Sequence, residues 1–117
     1  MIFCHIVDDF YLQPGTLNLL KQKTWWENNA SELLYRHDYI VALIIHGFSW
    51  SFLMMLPLTI YTLINYDTWY PVICIANALS HALIDHLKAN MKLINLVTDQ
   101  TAHLLQIFVT WLGLIIV

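Results

Sequence analysis

Charge is what this sequence has least of. Charged residues make up 11% of its 117 positions, against roughly a quarter in ordinary soluble domains. So few charges would barely coat a small soluble fold, whose surface is large for its volume. The five Lys and Arg residues form no cluster and the net charge is −3, which excludes a nucleic-acid binder. Two cysteines are too few for a disulfide scaffold. No repeat or low-complexity segment occurs, and the length suits one compact unit rather than two domains. What is abundant is apolar: 59% of residues are hydrophobic, which excludes disorder. The expectation is a membrane protein.

Three long apolar stretches and a short one predict an all-α fold, an integral membrane bundle of four helices. It forms a single transmembrane domain over 1–117, with helices at about 1–13, 39–65, 71–88 and 94–117. A helical crossing needs roughly 17–25 residues. The second and fourth helices reach that length and the third is marginal. Met1–Leu12 reaches only about 18 Å at 1.5 Å per residue, so it crosses a thinned bilayer or packs as a partial span. It reads as part of the mature fold, because no Lys or Arg precedes it and Asp8 and Asp9 interrupt its apolar run.

The basic residues fall in two connections, Lys21, Lys23 and Arg36 in 14–38 and Lys88 and Lys92 after the third helix. With four crossings both lie on one side, which the positive-inside rule makes cytoplasmic, with both termini outside a bacterial inner membrane. Tyr66, Trp69 and Tyr70 on one side, and Trp25 and Trp26 on the other, suit interfacial positions. Pro14-Gly15 ends the first helix. Leu17, Leu20 and Trp25, with lysines between, suit a short interfacial helix. A turn is expected at Asn28-Asn29-Ala30, and Ser31 is expected to cap the next helix.

Ionisable residues inside the spans carry the functional signal, since each costs about 2.5–3.5 kcal/mol at a helix centre. They are His5, Asp8, Asp9, His46, His81, Asp85, His86, Asp99 and His103. His5 and Asp9, His81 and Asp85, and Asp99 and His103 are each four apart, and so share a helix face. About 0.6 such pairs would arise by chance. Two stripes extend these faces: Asn77, His81, Asp85 and Lys88, and Asp99, His103, Gln106 and Thr110. Counted from the cytoplasmic ends, Asp9, His46, Asp85 and Asp99 all fall within about 5–12 Å of that side. One shared site would have this layout.

Three readings compete for it. A divalent-metal site suits imidazole and carboxylate together, with Zn foremost and Mn or Fe as further candidates. Helix bundles build such sites from inward-facing side chains on several helices. A proton or ion-coupled transporter is the second reading, with the stripe toward Thr110 as its support. The third is a small regulatory subunit whose His–Asp pairs are interhelical glue worth about 0.6 kcal/mol each. Cys4 and Cys74 read as packing, His37 as a solvated interfacial side chain, and Lys88 as snorkelling or paired with Asp85.

The run His5-x3-Asp9-x3-Gln13, His46, Ser80-His81-x3-Asp85-x2-Lys88 and Asp99-Gln100-x2-His103 resembles the small bacterial and phage membrane proteins grouped as domain of unknown function 3307. The resemblance implies an integral membrane protein and marks His5, Asp9, Gln13, His81, Asp85, Lys88, Asp99, Gln100 and His103, while implying no activity. The layout is also similar in style to membrane-bound metal-dependent hydrolases, an analogy of fold and site only. The expected metal set is His5, Asp9, His46, His81, Asp85, Asp99 and His103. Asp9, Asp85 and Asp99 are the catalytic candidates. Lys88, Gln100 and Gln13 are expected to hold a lipid-linked or phosphate-bearing substrate. The bilayer is the expected partner, together with a second copy of the chain.

Overall fold

The computed structural model describes residues 1–65 and 70–116, with backbone alone for 62–65. The described chain is helical and contains no strand. Helix α1 (Ile2–Val7) runs into a π-helical turn over Asp8–Leu12. Two short helices follow, α2 (Gly15–Leu20) and α3 (Lys23–Asn29), then a 3₁₀ turn at Leu33–Tyr35. Three long helices complete the fold: α4 (Asp38–Asn65), α5 (Tyr70–Ala89) and α6 (Leu96–Ile116). The expected interfacial residues Tyr66 and Trp69 lie outside the described residues.

The segment between the first and second expected helices differs from expectation. It forms two short helices rather than one, because Lys21 turns inward between them and is 4% exposed. The expected turn at Asn28-Asn29 is still helical and α3 ends on Ala30. Ser31 does not cap α4, since the 3₁₀ turn intervenes and Glu32 precedes it. Pro14 does break the chain. Gln13 is extended ahead of it, at ψ 105°, and Pro14 becomes the N-cap of α2.

Polarity is distributed inside out. Polar and charged residues outnumber hydrophobic ones among the buried described residues. Ile45, Phe52, Leu83, Leu105, Phe108 and Val109 face outward. The apolar part of the interior is small, Trp50, Met54, Met55, Ile107 and Leu114. Among the described residues one helical stretch, Leu33–Tyr61, is long and apolar enough to cross a membrane. Helices α5 and α6 each span about 30 Å at 1.5 Å per residue, but His, Asp, Asn and Gln on their inner faces lower their hydropathy.

Close packing of α4 on α5 sets the frame. A Cβ at Gly47 would collide with the carbonyl oxygen of Ala78 and sit 3.3 Å from the Ala82 methyl. Only glycine lets the two backbones approach this far. At the other end of α5, Asn90 clamps the short helices. Its side chain donates to the Lys21 carbonyl at 2.9 Å and accepts from the Lys23 amide at 2.6 Å. The two basic connections therefore lie at the same end of the bundle. Lys92, with φ 54°, ends α5 in the left-handed region, and the Leu93 amide closes back on the Leu87 carbonyl at 3.0 Å.

Candidate metal centre

Four helical elements bring their polar side chains to one place. The π turn puts both Asp8 and Asp9 against His46, at 3.8 and 3.7 Å. The Gln13 amide reaches the Asp8 carbonyl five residues back, and this wider turn carries two successive carboxylates inward, a use π turns commonly serve at functional sites. His46 comes from α4 one residue before Gly47, so the close α4–α5 approach brings its Nε2 to 3.1 Å from His81 Nε2. Spacings of four residues on α5 and α6 then align His81 with Asp85 and Asp99 with His103.

The inner distances bring imidazole and carboxylate atoms from different helices near the spacing of metal ligands. His46 Nε2 lies 3.7 Å from Asp9 Oδ1 and 3.5 Å from Asp85 Oδ2. His81 Nε2 lies 3.9 Å from each of the same oxygens. A tetrahedral ion bound at about 2.0–2.1 Å holds its ligand atoms about 3.3 Å apart. His103 Nε2 stands 3.6 Å from Asp85 Oδ1 and from Asp99 Oδ1. Among the described residues two groups place one ligand atom per residue within 4.8 Å of the others: Asp9, His46 and His81, and His81, Asp85 and His103.

Several of these atoms have no partner. Asp9 Oδ1, Asp99 Oδ1 and His103 Nε2 are buried without a hydrogen bond. Buried polar atoms left so are rare and call for a water or an ion. Two imidazole nitrogens 3.1 Å apart cannot aim bare lone pairs at each other, so a proton or a cation lies between them. Asp8, Asp9, Asp85 and Asp99 outnumber Lys21 and Lys88 by two, an excess that protons on the imidazoles or a bound cation balances.

An outer layer fixes the ligand candidates. The Trp50 indole donates to His5 Nδ1 at 2.8 Å, so His5 carries its hydrogen on Nε2 and donates to Gln100 Oε1 at 3.1 Å. That sets the Gln100 amide, which donates to Asp9 at 3.3 Å and to Asp99 at 3.1 Å. The His81 ring packs against both Trp50 and His103, with centroids at 4.2 and 4.1 Å. Ser49 donates to Asp8 at 3.2 Å. Lys21 bonds Asp85 at 2.5 Å and Lys88 bonds Asp99 at 2.6 Å. Such second partners orient ligands and tune their basicity.

A family model described as "Protein of unknown function (DUF3307)" matches residues 1–117. The chain belongs to that family. No curated protein and no solved structure gives a significant match.

Within this DUF3307 chain the predicted residues converge unequally. Asp9, His46, His81, Asp85 and His103 fall in the two groups, whereas His5 and Asp99 stand beside them. Both ring nitrogens of His5 are engaged by Trp50 and Gln100. Gln13, Lys88 and Gln100 line a cleft of about 300 Å³ that reaches Asp9 and Asp85. Lys88 pairs with Asp99 rather than Asp85, because Lys21 already occupies the Asp85 carboxylate. Lys21, Asp8, Trp50 and Asn90 were not among the predicted site residues. Adjacency to Asp9 was a usable signal for Asp8. Lys21 gave none, since its partner is 64 residues away.

Proposed function

We propose that this DUF3307 protein is an integral membrane protein whose His/Asp centre holds a divalent metal ion and hydrolyses a phosphate-bearing or lipid-linked substrate at the cytoplasmic membrane face. The observation that carries the reading is the pair of groups that share His81, Asp9 with His46 and His81, and His81 with Asp85 and His103, each with one ligand atom per residue within 4.8 Å of the others. His103 extends the centre on the side of Asp99, and His5 positions it through Gln100. A bound divalent ion supplies Lewis acidity and a hydroxide nucleophile near neutral pH. Zinc suits the imidazole-rich set best, with manganese or iron as alternatives. Asp99 Oδ1, buried and without a hydrogen bond, serves as the base that takes the proton of water. Lys88, Gln13 and Gln100 hold the anionic group in the cleft.

Membrane insertion is supported by the outward apolar faces of α4, α5 and α6 and, among the described residues, by one helical stretch, Leu33–Tyr61, long and apolar enough for a crossing. Its orientation, with both termini outside, rests on Lys23, Arg36 and Lys92, because Lys21 and Lys88 turn inward to the carboxylates of the centre. α1 and its π turn together reach about 16 Å at 1.5 Å per residue and pack as a partial span.

Metal content of the purified protein, by mass spectrometry, tests the centre. About one ion per chain is expected, lost in His81→Ala and in Asp85→Asn. No stoichiometric metal, or metal that both variants retain, would defeat the proposal. A second reading, proton-coupled transport, draws on one observation. Above the centre Gln106 and Thr110 both donate to Asn77, at 2.8 and 3.0 Å, which prolongs the polar stripe along α5 and α6. Proton flux in liposomes that is lost in Asp99→Asn would favour it.

A further inference from the structure

The seam between α1 with its π turn and α6 holds two cavities in line. The polar cleft at one end is lined by the carboxylates of Asp9 and Asp85, the ammonium groups of Lys21 and Lys88 and the amides of Gln13, Asn18 and Gln100, together with Phe10 and Leu96. An apolar groove of about 640 Å³ lies at the other end, between Met1, Ile2 and Phe3 on one wall and Leu104, Phe108 and Trp111 on the other. The two lie on one face of α6. Leu96 and Gln100 serve the cleft, and Leu104, Phe108 and Trp111 continue the same row at helical spacing into the groove. From Gln100 to Leu104 is one turn, about 6 Å. The His5–Gln100 hydrogen bond at 3.1 Å crosses the seam between them.

We propose that this seam binds a phosphate monoester carrying one long hydrocarbon chain, the phosphate in the cleft and the chain along the groove. This rests on reading the centre as a phosphate-handling site. At the cleft two ammonium groups, each already paired with a carboxylate, and the amides of Gln13, Asn18 and Gln100 turn toward one chamber, so an anionic head is held by sharing the donors of Lys21 and Lys88 with Asp85 and Asp99. No side chain lining the groove carries a charge or an amide, so these side chains read chain length. Two chambers of opposite polarity along one face of α6, the polar one reaching Asp9 and Asp85, fit an amphiphile and not a free anion. A free phosphate would leave the larger chamber without a role.

The test is native mass spectrometry of the detergent-solubilised full chain, titrated with dodecyl phosphate, butyl phosphate and inorganic phosphate. Dodecyl phosphate is expected to bind at least tenfold more tightly than butyl phosphate. Leu104→Trp fills the groove from a position 45% exposed, and Ile2→Trp fills it from the opposite wall. Each should bring dodecyl phosphate down to the butyl value and leave butyl phosphate unchanged. Leu83→Trp, on the outer face of α5, should change neither, and it cancels partition into the same micelles. Equal affinity for both chain lengths, or groove variants that behave like Leu83→Trp, overturns the proposal. Metal content of the same samples keeps the two readings apart. A chain-length preference in metal-free protein ends the metal centre and leaves the lipid site, whereas stoichiometric metal without preference does the reverse.

Discussion

Lys21 is the least expected member of the centre, and its pairing with Asp85 gives the sharpest test of the geometry. The ammonium and carboxylate are 2.5 Å apart, with side chains 6% and 5% exposed. At an effective dielectric of about 20 their attraction amounts to about 7 kcal/mol, much of it offset by desolvation of both groups. Removing one partner leaves the other buried and uncompensated, at a cost of about 3–5 kcal/mol, while removing both together is often neutral. A double-mutant cycle reads this directly. Lys21→Met in the native background should destabilise by about 3 kcal/mol. In an Asp85→Asn background the same change should be neutral or stabilising. Unfolding in mixed micelles of rising denaturing-detergent fraction, followed by tryptophan fluorescence, supplies the four stabilities. If Lys21→Met costs the same with and without the Asp85 carboxylate, the pair does not form and the junction of α2 and α3 is misplaced.

Three further outcomes follow from single contacts. Trp50→Phe retains a ring over His81 but removes the donor to His5 Nδ1. It should cost about 1–3 kcal/mol in the same unfolding assay, and a cost near zero would remove His5 from the positioning layer. Gly47→Ala forces a methyl onto the Ala78 carbonyl. It should destabilise by about 1–3 kcal/mol and lower metal content with it, since His46 and His81 meet only at this approach; a neutral effect on both would contradict the packing. In a background without Cys4 and Cys74, cysteines at Ile45 and Leu83 face outward while Glu32 lies in the connection before α4. An impermeant thiol reagent applied to opened membranes should label Glu32→Cys alone, and equal labelling of all three would remove lipid from the outer face.

What could be read in the sequence followed from periodicity. The four-residue spacing of His81 and Asp85, and of Asp99 and His103, identifies an inner face on each helix, and both pairs are buried. The signal is strong because polar groups are rare here, so their repeat stands out where an apolar repeat would not. Spacing says nothing of contacts between distant segments. Lys21 meets Asp85 across 64 residues, and Gln100 meets His5 across 95. Asp8 and Asp9 both turn inward only because a π turn replaces the α-helical step, a register change with no sequence marker. His5 shows the same limit. Its spacing to Asp9 suggests a ligand, but a tryptophan on another helix takes its Nδ1 lone pair.

The α5–α6 interface contains its own comparison between glue and chemistry. Near Thr110 the two helices are joined by Asn77, Gln106 and Thr110, neutral groups that donate and accept among themselves. Such contacts average about 0.6 kcal/mol each in membranes, and they require no buried charge. One turn of α6 away, the same two helices present Asp85, Asp99, His81 and His103, all buried. Joining helices does not call for that change of chemistry, since the amide cluster already does it. Two lysines are brought in against the carboxylates, and Asp9 Oδ1, Asp99 Oδ1 and His103 Nε2 still have no hydrogen bond. Retaining uncompensated charge in a low-dielectric interior costs several kcal/mol per ion. A cation that binds the folded chain offsets this by RT ln(1 + [L]/Kd), about 2.7 kcal/mol at a hundredfold excess over Kd. Chelation should therefore weaken the native chain by about that amount, and should leave a variant with Asp9, Asp85 and Asp99 all changed to Asn untouched. If chelation shifts both equally, or neither, the carboxylates hold no ion and the charged cluster is structural after all.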